Sequence, residues 1–332
     1  MTPEQLAQYI SINTPEAWES CFDAAMEQYR PDWLDEPDFE YILDYYGLEE
    51  EYYKPRLRQE IELLRRDETL NRVCWLMHYI LFYAPGADLL NGWRWKGKPK
   101  AYAEHGSLVT NVVALLAGQS LHERGMARRG YDEAQIKFHI QGVRSTWVGQ
   151  HEGRGVDGIS FGQMVWGAYF MRCNLVKIGR LEYECGLRER HEYDHMFGGE
   201  PCYISIHIPP SDDGLKDEDV GQSIRMAVEH LEDYFPQTKR KKKVFLTRTW
   251  LLSPELKEML KPDSNIIKFQ ERFTLLDTYE ENSAFLSFVF KVGATPELDY
   301  NTLPEDSSLR RAIKQRLVNG ETLHTALGYF VV

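Results

Sequence analysis

Two patterns of hydrophobic spacing divide the chain near residue 155. Before it, apolar residues recur three and four positions apart, which predicts amphipathic helices. In residues 14–29 one such stripe follows a capping Thr and a Pro at the first helical position and consists of Trp18, Cys21, Phe22, Ala25 and Met26. We predict further helices at 2–10, 55–83, 105–125 and 131–153, and we interpret His78 and His139 as core or boundary residues within them.

After residue 155 helical and strand-like segments alternate. Runs rich in β-branched and aromatic residues, bounded by Gly or Pro, predict strands at 177–185, 202–209, 243–252, 274–282, 284–292 and 326–332. Helical spacing predicts helices at 161–176, 217–235, 253–260, 264–273 and 307–320. The sequence therefore predicts an α/β (α+β) chain, in which an all-helical domain at 1–154 precedes a mixed α/β sheet domain at 155–332.

Composition narrows the functional classes. The chain has 332 residues, 43% of them hydrophobic, and a net charge of −12, which argues against general binding to nucleic acid or to an anionic membrane. No signal peptide is visible, and the apolar run at 73–84 is too short to span a membrane. We expect a soluble, cytoplasmic protein. The basic run KRKKK (239–243) is interpreted as a solvated loop or as a contact for a small anion such as a nucleotide phosphate.

The cysteines suggest no metal site. Cys21, Cys74, Cys173, Cys185 and Cys202 include no CxxC pair, so we expect mainly buried, reduced thiols and no zinc.

The strand at 202–209 has two unlike faces, because side chains alternate along a strand. Cys202, Ile204, Ile206 and Ile208 form an apolar face suited to a core, whereas Tyr203, Ser205 and His207 form an amphipathic face suited to a cleft wall. Pro209 and Pro210 end the strand, and a turn with Gly214 leads into a helix that we expect to start at 216–219. A helix start offers free N–H groups to an anion, although the acids there are also ordinary first-turn residues.

Four segments together resemble a known family. They are IGRLEYE (178–184), ISIHIPPSDDGL (204–215), TWLLSPELKEML (249–260) and SNIIKFQERF (264–273). In this order they are similar to a bacterial acyltransferase family with a helical N-terminal domain and a C-terminal domain resembling the GNAT N-acyltransferase fold. The resemblance covers residues 155–332. It implies direct transfer of an acetyl or other acyl group from acyl-CoA to the amine of a small molecule or peptide, without a metal.

The resemblance also implies roles for individual residues. Two strands splay apart and hold the pantetheine arm, and the turn at 211–220 holds the pyrophosphate. The implied cofactor-binding residues are Ile206, Ile208, Asp213, Gly214, Leu215 and Asn265, with backbone donors at 206–208 stabilising the oxyanion. Asn265 has capping of its own helix as an alternative. This chain has acids and one glycine where the usual loop has a base and more glycines, and Arg225 or the lysines at 239–243 are candidates to supply the positive charge.

Three side chains are candidates for the chemistry. His207 is the first choice for the base that takes the proton of the amine, with a structural histidine as the alternative. Glu182 is the second choice, with a salt bridge to Arg180 or Arg248 as the alternative. Tyr203 is a candidate to protonate the leaving thiolate.

Two further questions stay open at this stage. Four aromatic residues are candidates to line an acceptor or acyl pocket, with a core position as the alternative: Trp147, Trp166, Tyr169 and Trp250. The second function to consider is a catalytically degenerate GNAT-like binding or regulatory protein.

Overall fold

The computed structural model describes residues 5, 38–71, 74, 117–140, 143–144, 161–185, 191–198, 200–209, 211, 213–293, 295 and 297–332. The chain divides into two compact units, an N-terminal unit at Met1–Lys177 and a C-terminal unit at Ile178–Val332. The helices predicted at 2–10 and 14–29, His78, Trp147 and Cys21 lie outside the described residues. So do residues 151–160, and the domain boundary after residue 154 stays a prediction.

The described part of the N-terminal unit is helical up to the first strand, as predicted. Its helices are α1 (Phe39–Tyr46), α2 (Glu50–Arg66), α3 (Ala117–Ala127) and α4 (Phe161–Met171), and residues 68–71 and 133–140 are also helical. Local signals set the ends of α1. The Asp38 carboxylate accepts the Tyr41 N–H at 3.0 Å, and Gly47 ends the helix at φ 65°, a conformation that glycine adopts without strain.

Two histidines lie in the core of the N-terminal unit. His139, predicted as a core or boundary residue, is 3% exposed, and His122 is 1% exposed. The Tyr45 hydroxyl lies 2.6 Å from His122 Nδ1, and His139 Nδ1 accepts the Lys177 N–H at 3.2 Å. Both imidazoles therefore exchange water for a specific partner inside the protein.

A six-stranded mixed sheet confirms the predicted fold class. Its strands are β1 (Leu175–Ile178), β2 (Leu181–Cys185), β3 (Cys202–His207), β4 (Lys243–Thr249), β5 (Thr274–Glu280) and β6 (His324–Val331). Their order in the sheet is β1-β2-β3-β4-β6-β5. β3 and β4 pair in parallel, whereas β2–β3, β4–β6 and β5–β6 pair antiparallel. The segment 177–185, predicted as one strand, is divided by a turn in which Gly179 has φ 60°.

Helices connect these strands. They are α5 (Asp194–Phe197), α6 (Asp217–Tyr234), α7 (Leu256–Met259), α8 (Asn265–Gln270), α9 (Asn282–Phe285) and α10 (Ser308–Val318). Shorter 3₁₀ turns occur at His191–Tyr193, Pro236–Thr238, Trp250–Leu252 and Tyr300–Thr302. The helix expected to start at 216–219 starts at Asp217. Of the two residues considered as the cap of α8, Ser264 takes this position, because its hydroxyl accepts the Ile267 N–H at 3.4 Å.

One predicted strand is wrong. Residues 284–292 form the end of α9 and a π-helical turn at Leu286–Phe290. The buried positions there are Phe285, Leu286, Val289 and Phe290. This is helical spacing, because positions one and four apart share a helix face, but the apolar and aromatic composition of the segment is typical of strands. No helix in the described part of the chain is long and apolar enough to cross a membrane.

None of the described cysteines forms a disulfide bond. Cys74, Cys173 and Cys185 are buried, and Cys202 is partly exposed. The Sγ atoms of Cys185 and Cys202 lie 3.7 Å apart on neighbouring strands.

Candidate functional site

The pairing between β3 and β4 ends before either strand does. It runs from Cys202–Lys243 to Ser205–Leu246. β3 continues to His207 on its other neighbour, β2, and β4 continues to Thr249 on β6. Near its end, each of these two parallel strands is therefore paired only with its outer neighbour, β3 with β2 and β4 with β6. We call the unpaired ends of the two strands beyond Ser205 and Leu246 the β3–β4 gap, and it lies where the resemblance implies splayed strands.

Alternate backbone donors along β3 point toward β4. The Cys202 N–H donates to the Lys242 carbonyl at 2.8 Å, on the β4 side. Since N–H groups alternate sides along a strand, those of Ile204, Ile206 and Ile208 face the same way. Ile208 lies beyond the last paired residue, Ser205, so the structure places a candidate donor at the gap.

His207 and Glu184 form a close pair on one face of the sheet. His207 Nε2 lies 2.6 Å from Glu184 Oε2. The His207 side chain is 21% exposed, whereas the Glu184 side chain is 1% exposed. Glu182 is the register partner of His207 and is also buried. A partly exposed imidazole against a buried carboxylate can take up a proton with the charge balanced from inside the protein.

The third catalytic candidate, Tyr203, lies on the same face but has a different environment. Its hydroxyl donates to Asp194 Oδ1 at 2.5 Å, and its ring packs edge-on against Phe197. Burial raises the pKa of Tyr203, and the hydrogen bond to Asp194 raises it further. The structure therefore brings His207, Glu182 and Tyr203 to one face of the sheet. Because its pKa is raised, the Tyr203 hydroxyl gives up its proton less readily than an ordinary tyrosine.

Arg248 lies on the opposite lip of the gap. Extending the register beyond Ser205–Leu246 by two residues sets Arg248 across from His207. Its Nη2 donates to Glu281 Oε2 at 3.0 Å, and its guanidinium stacks on the Tyr279 ring, 4.1 Å from the centroid. Of the salt bridges considered for Glu182, the one to Arg248 is replaced by this pairing with Glu281.

The other face of the strands carries helix α6. The Tyr183 hydroxyl and the Ser223 hydroxyl are 3.0 Å apart, and Ser223 also accepts the Leu181 N–H and donates to the Ile178 carbonyl. Ser223 therefore fixes α6 to β1 and β2. Because α6 starts just after β3 ends, this anchoring also sets where its N-terminus lies relative to the gap.

Arg180 braces the turn between β3 and α6. Its Nε donates to the Gly214 carbonyl at 2.8 Å, and its Nη1 donates to the Pro209 carbonyl at 2.7 Å. Burial lowers the pKa of Arg180, while Glu182 and Asp219 act to raise it. Gly214 has φ 72° with open space around its Cβ position, so the turn needs glycine for its backbone and leaves room beside it.

Other residues predicted for cofactor binding are spread along this edge. Asp213 is exposed and lies 3.3 Å from Lys216 Nζ. Leu215 is half-buried, and Asn265 is exposed at the first position of α8. Lys216 precedes α6 without a side-chain cap, so the first N–H groups of that helix are not taken by a capping side chain.

Two arginines supply positive charge at the second turn of α6. A methyl group built on Gly221 would lie 3.2 Å from Arg272 Nη2 and 3.4 Å from Arg225 Nη1. Arg272 also forms a 2.5 Å ion pair with Asp217. Arg225 was a candidate from the sequence, whereas Arg272 was missed, because it is more than fifty positions further along the chain.

The basic run at 239–243 lies at the far end of α6. This helix has 18 residues, so at 1.5 Å per residue it is about 27 Å long. Lys242 donates to the Phe197 carbonyl and Lys243 pairs with Glu232. The suggestion that these lysines contact a phosphate at the turn is not supported, because they lie too far from it. Within the described ranges no cluster of three or more His, Cys, Asp or Glu side chains is arranged to hold a metal ion.

Comparisons with known proteins agree on the fold. Residues 175–330 match the sequence model of the GNAT-like C-terminal domain. A crystal structure of an acyltransferase in complex with decanoyl-CoA has 21% sequence identity and a TM-score of 0.75, and the match covers 99% of each chain. An acyltransferase in complex with CoA and 10C-teicoplanin has 20% identity and a TM-score of 0.74, with the same coverage. No curated protein matches the chain. Residues 175–330 are therefore similar in sequence to the GNAT-like C-terminal domain, and the solved structures show the same fold.

Proposed function

We propose that this chain is an acyl-CoA-dependent N-acyltransferase that transfers an acetyl or other acyl group directly to an amine. The observation that carries the proposal is the β3–β4 gap, in which two parallel neighbours stop pairing while each stays paired on its outer side. A gap with backbone donors on one lip suits a thioester. The proteins of this fold that were crystallised with decanoyl-CoA and octanoyl-CoA support an acyl-CoA as donor.

The edge around Gly214 suits the phosphates of the donor. The N-terminus of α6 favours negative charge, and Arg225 and Arg272 add positive charge near Gly221. These arginines offset the acids of the turn. In the proposed complex the phosphates lie at this turn, and the pantetheine arm enters the gap past Ile208.

The chemistry then needs one proton acceptor. The amine nitrogen attacks the thioester carbon, the C–N bond forms and the C–S bond breaks. Backbone N–H groups facing the gap stabilise the oxyanion, each worth about 3 kcal/mol in other enzymes. The proton of the amine passes to His207, which returns it to the thiolate. Glu184 accepts the Nε2–H of His207, which leaves the lone pair of Nδ1 for the proton and balances the imidazolium charge.

The other two catalytic candidates, Glu182 and Tyr203, have smaller roles in the proposed mechanism than His207. Glu182 is buried beside the register position of His207 and adds negative charge to that lip. Tyr203 remains a candidate donor to the thiolate, but its raised pKa and its bond to Asp194 make it a weaker one than the imidazolium. The acceptor is expected to be a small molecule or peptide amine, as in the acyltransferase crystallised with teicoplanin.

Ligand binding tests the proposal without knowledge of the acceptor. Free CoA and acyl-CoAs should raise the melting temperature of the protein, since a ligand at about 100 times its Kd adds about 2.7 kcal/mol to the unfolding free energy. The alternative, a degenerate protein with a closed gap, predicts no shift with any of them. Crystals soaked in CoA should show density between Gly214 and the gap.

A matched pair of histidine variants tests the base. His207→Ala should lower turnover by at least about tenfold and leave CoA affinity unchanged, because general-base catalysis contributes about 10²–10⁴-fold. The control is His230→Ala, since His230 also lies beside carboxylates but is half exposed on α6. Equal rates for the two variants would remove His207 from the mechanism.

A further inference from the structure

A helical insertion separates the adjacent strands β5 and β6. These strands pair antiparallel from Thr274–Tyr329 to Glu280–His324, and a two-residue turn suffices to join such a pair. Residues 281–323 instead form α9, the π-helical turn and α10. Turns of π-helix occur frequently at functional sites.

The insertion borders an open cavity of about 460 Å³ beside the turn that follows β4. Trp250 lines it from the turn, and Phe288, Val289 and Leu309 line it from the insertion. The walls are firmly supported, because Val289 belongs to a buried cluster and the Trp250 ring packs against Phe285, with 5.5 Å between centroids. Small-molecule sites usually have about 300–1,000 Å³, so the cavity is large enough for a ligand.

Polar groups at the rim are paired with one another. Arg310 Nη1 donates to Asp306 Oδ2 at 2.7 Å, and its Nε and Nη2 donate to the Val289 carbonyl at 3.0 and 2.8 Å. The Ser307 hydroxyl accepts the Arg310 N–H at 3.1 Å. Beside this paired polar rim, the cavity offers a ligand apolar side chains, including Phe288, which is 59% exposed. Such a surface suits a group without hydrogen-bonding atoms.

Trp250 connects this cavity to the β3–β4 gap. It directly follows Thr249, the last residue of β4, and lies four residues beyond Leu246, where pairing with β3 ends. At about 3.3 Å per residue this is a span of about 13 Å. A thioester in the gap thus has an apolar cavity within reach of a medium-length chain.

We propose that the cavity at Trp250, Phe288 and Leu309 holds the acyl chain of the donor and selects chains longer than acetyl. The inference rests on the proposed function, because it assigns the cavity to the same acyl-CoA. The hydrophobic effect favours burial of each methylene about fourfold, which corresponds to ~0.8 kcal/mol. Affinity should therefore rise with chain length until the cavity is full.

The test is a calorimetric titration of the full chain with CoA and with acetyl-, butyryl-, hexanoyl- and octanoyl-CoA. For the unaltered protein we expect octanoyl-CoA to bind at least about tenfold more tightly than acetyl-CoA. Leu309→Trp fills the cavity and Phe288→Ala removes part of its wall. Both should flatten the dependence on chain length and leave the affinity for free CoA unchanged. Val318→Ala, at an exposed apolar position on the same helix α10, is the matched control.

The possible outcomes separate this inference from the function on which it rests. If the affinity rises equally with acyl-chain length in all variants, the acyl chain binds elsewhere and the inference is overturned. The same conclusion follows if affinity does not depend on chain length, or if the two cavity variants change only the KM of an amine acceptor. Absence of binding by CoA and every acyl-CoA would instead refute the proposed function itself.

Discussion

Acid should destabilise the N-terminal unit through its two buried histidines. Burial, together with the nearby His139 and Arg129, lowers the pKa of His122 to about 3. Burial, together with the nearby Lys177, lowers the pKa of His139 to about 4. In the folded protein both imidazoles therefore stay neutral down to about pH 5, whereas in the unfolded chain they titrate near a pKa of about 6.5.

The sign and size of the effect follow from these values. The folded pKa lies below the unfolded one, so below about pH 6.5 the unfolded chain binds more protons and stability falls as pH falls. Between about pH 7.5 and about pH 5, the effect acts over the roughly 1.5 pH units below the unfolded pKa of about 6.5. At about 1.36 kcal/mol per unit, each histidine lowers the unfolding free energy by about 2 kcal/mol. The two together cost about 4 kcal/mol. Since both folded values lie below about 5, the result depends little on their exact size.

Urea denaturation followed by far-ultraviolet circular dichroism measures this directly at the two pH values. His122→Gln and His139→Gln should each remove about 2 kcal/mol of the pH dependence, because glutamine does not titrate. His230→Gln, on an exposed histidine of α6, should leave it intact. A decrease of less than about 1 kcal/mol in the unaltered protein would refute the reasoning, as would an equal effect of His230→Gln.

Three further substitutions test the site and its support. Ser223→Ala removes the partner of the Tyr183 hydroxyl and of two backbone groups, and denaturant unfolding should show a loss of about 1–3 kcal/mol; no loss would mean that water replaces the hydroxyl. Glu184→Gln exchanges a charged for a neutral partner of His207, so kcat should fall about tenfold, or ~1.4 kcal/mol, with CoA affinity kept; an unchanged kcat would leave Glu184 a structural role only. Arg180→Gln removes two charge-assisted bonds to the turn and should raise the Kd for CoA at least about tenfold by calorimetry, whereas an unaltered Kd would show that the turn holds its shape without them.

Periodicity predicted the elements that build the site. The alternation along residues 202–209 separated the face of Tyr203 and His207 from the apolar face, and the start of α6 fell where the turn residues indicated. Local signals of this kind depend on nearest neighbours along the chain, so a single sequence contains them.

Partners that meet only in the folded sheet were not predictable in the same way. Glu184 was visible as a residue on the same face as Glu182, but its pairing with His207 depends on the register of β2 against β3. Arg272 reaches Gly221 across a long stretch of chain. The helical insertion was mistaken in part for a strand, because its aromatic and β-branched composition is typical of strands although its buried residues follow helical spacing.

The parallel pairing of β3 and β4 has a topological consequence. For two adjacent strands to run parallel, the chain must cross from the end of the first strand back to the start of the second. Helix α6 forms this crossover between β3 and β4. The first turn of α6 therefore lies at the edge of the sheet where β3 ends and where β4 is no longer paired with it. Wherever this connection occurs, the helix N-terminus, which attracts anions, lies beside the end of the first strand. In this chain the pairing of the two strands also ends there.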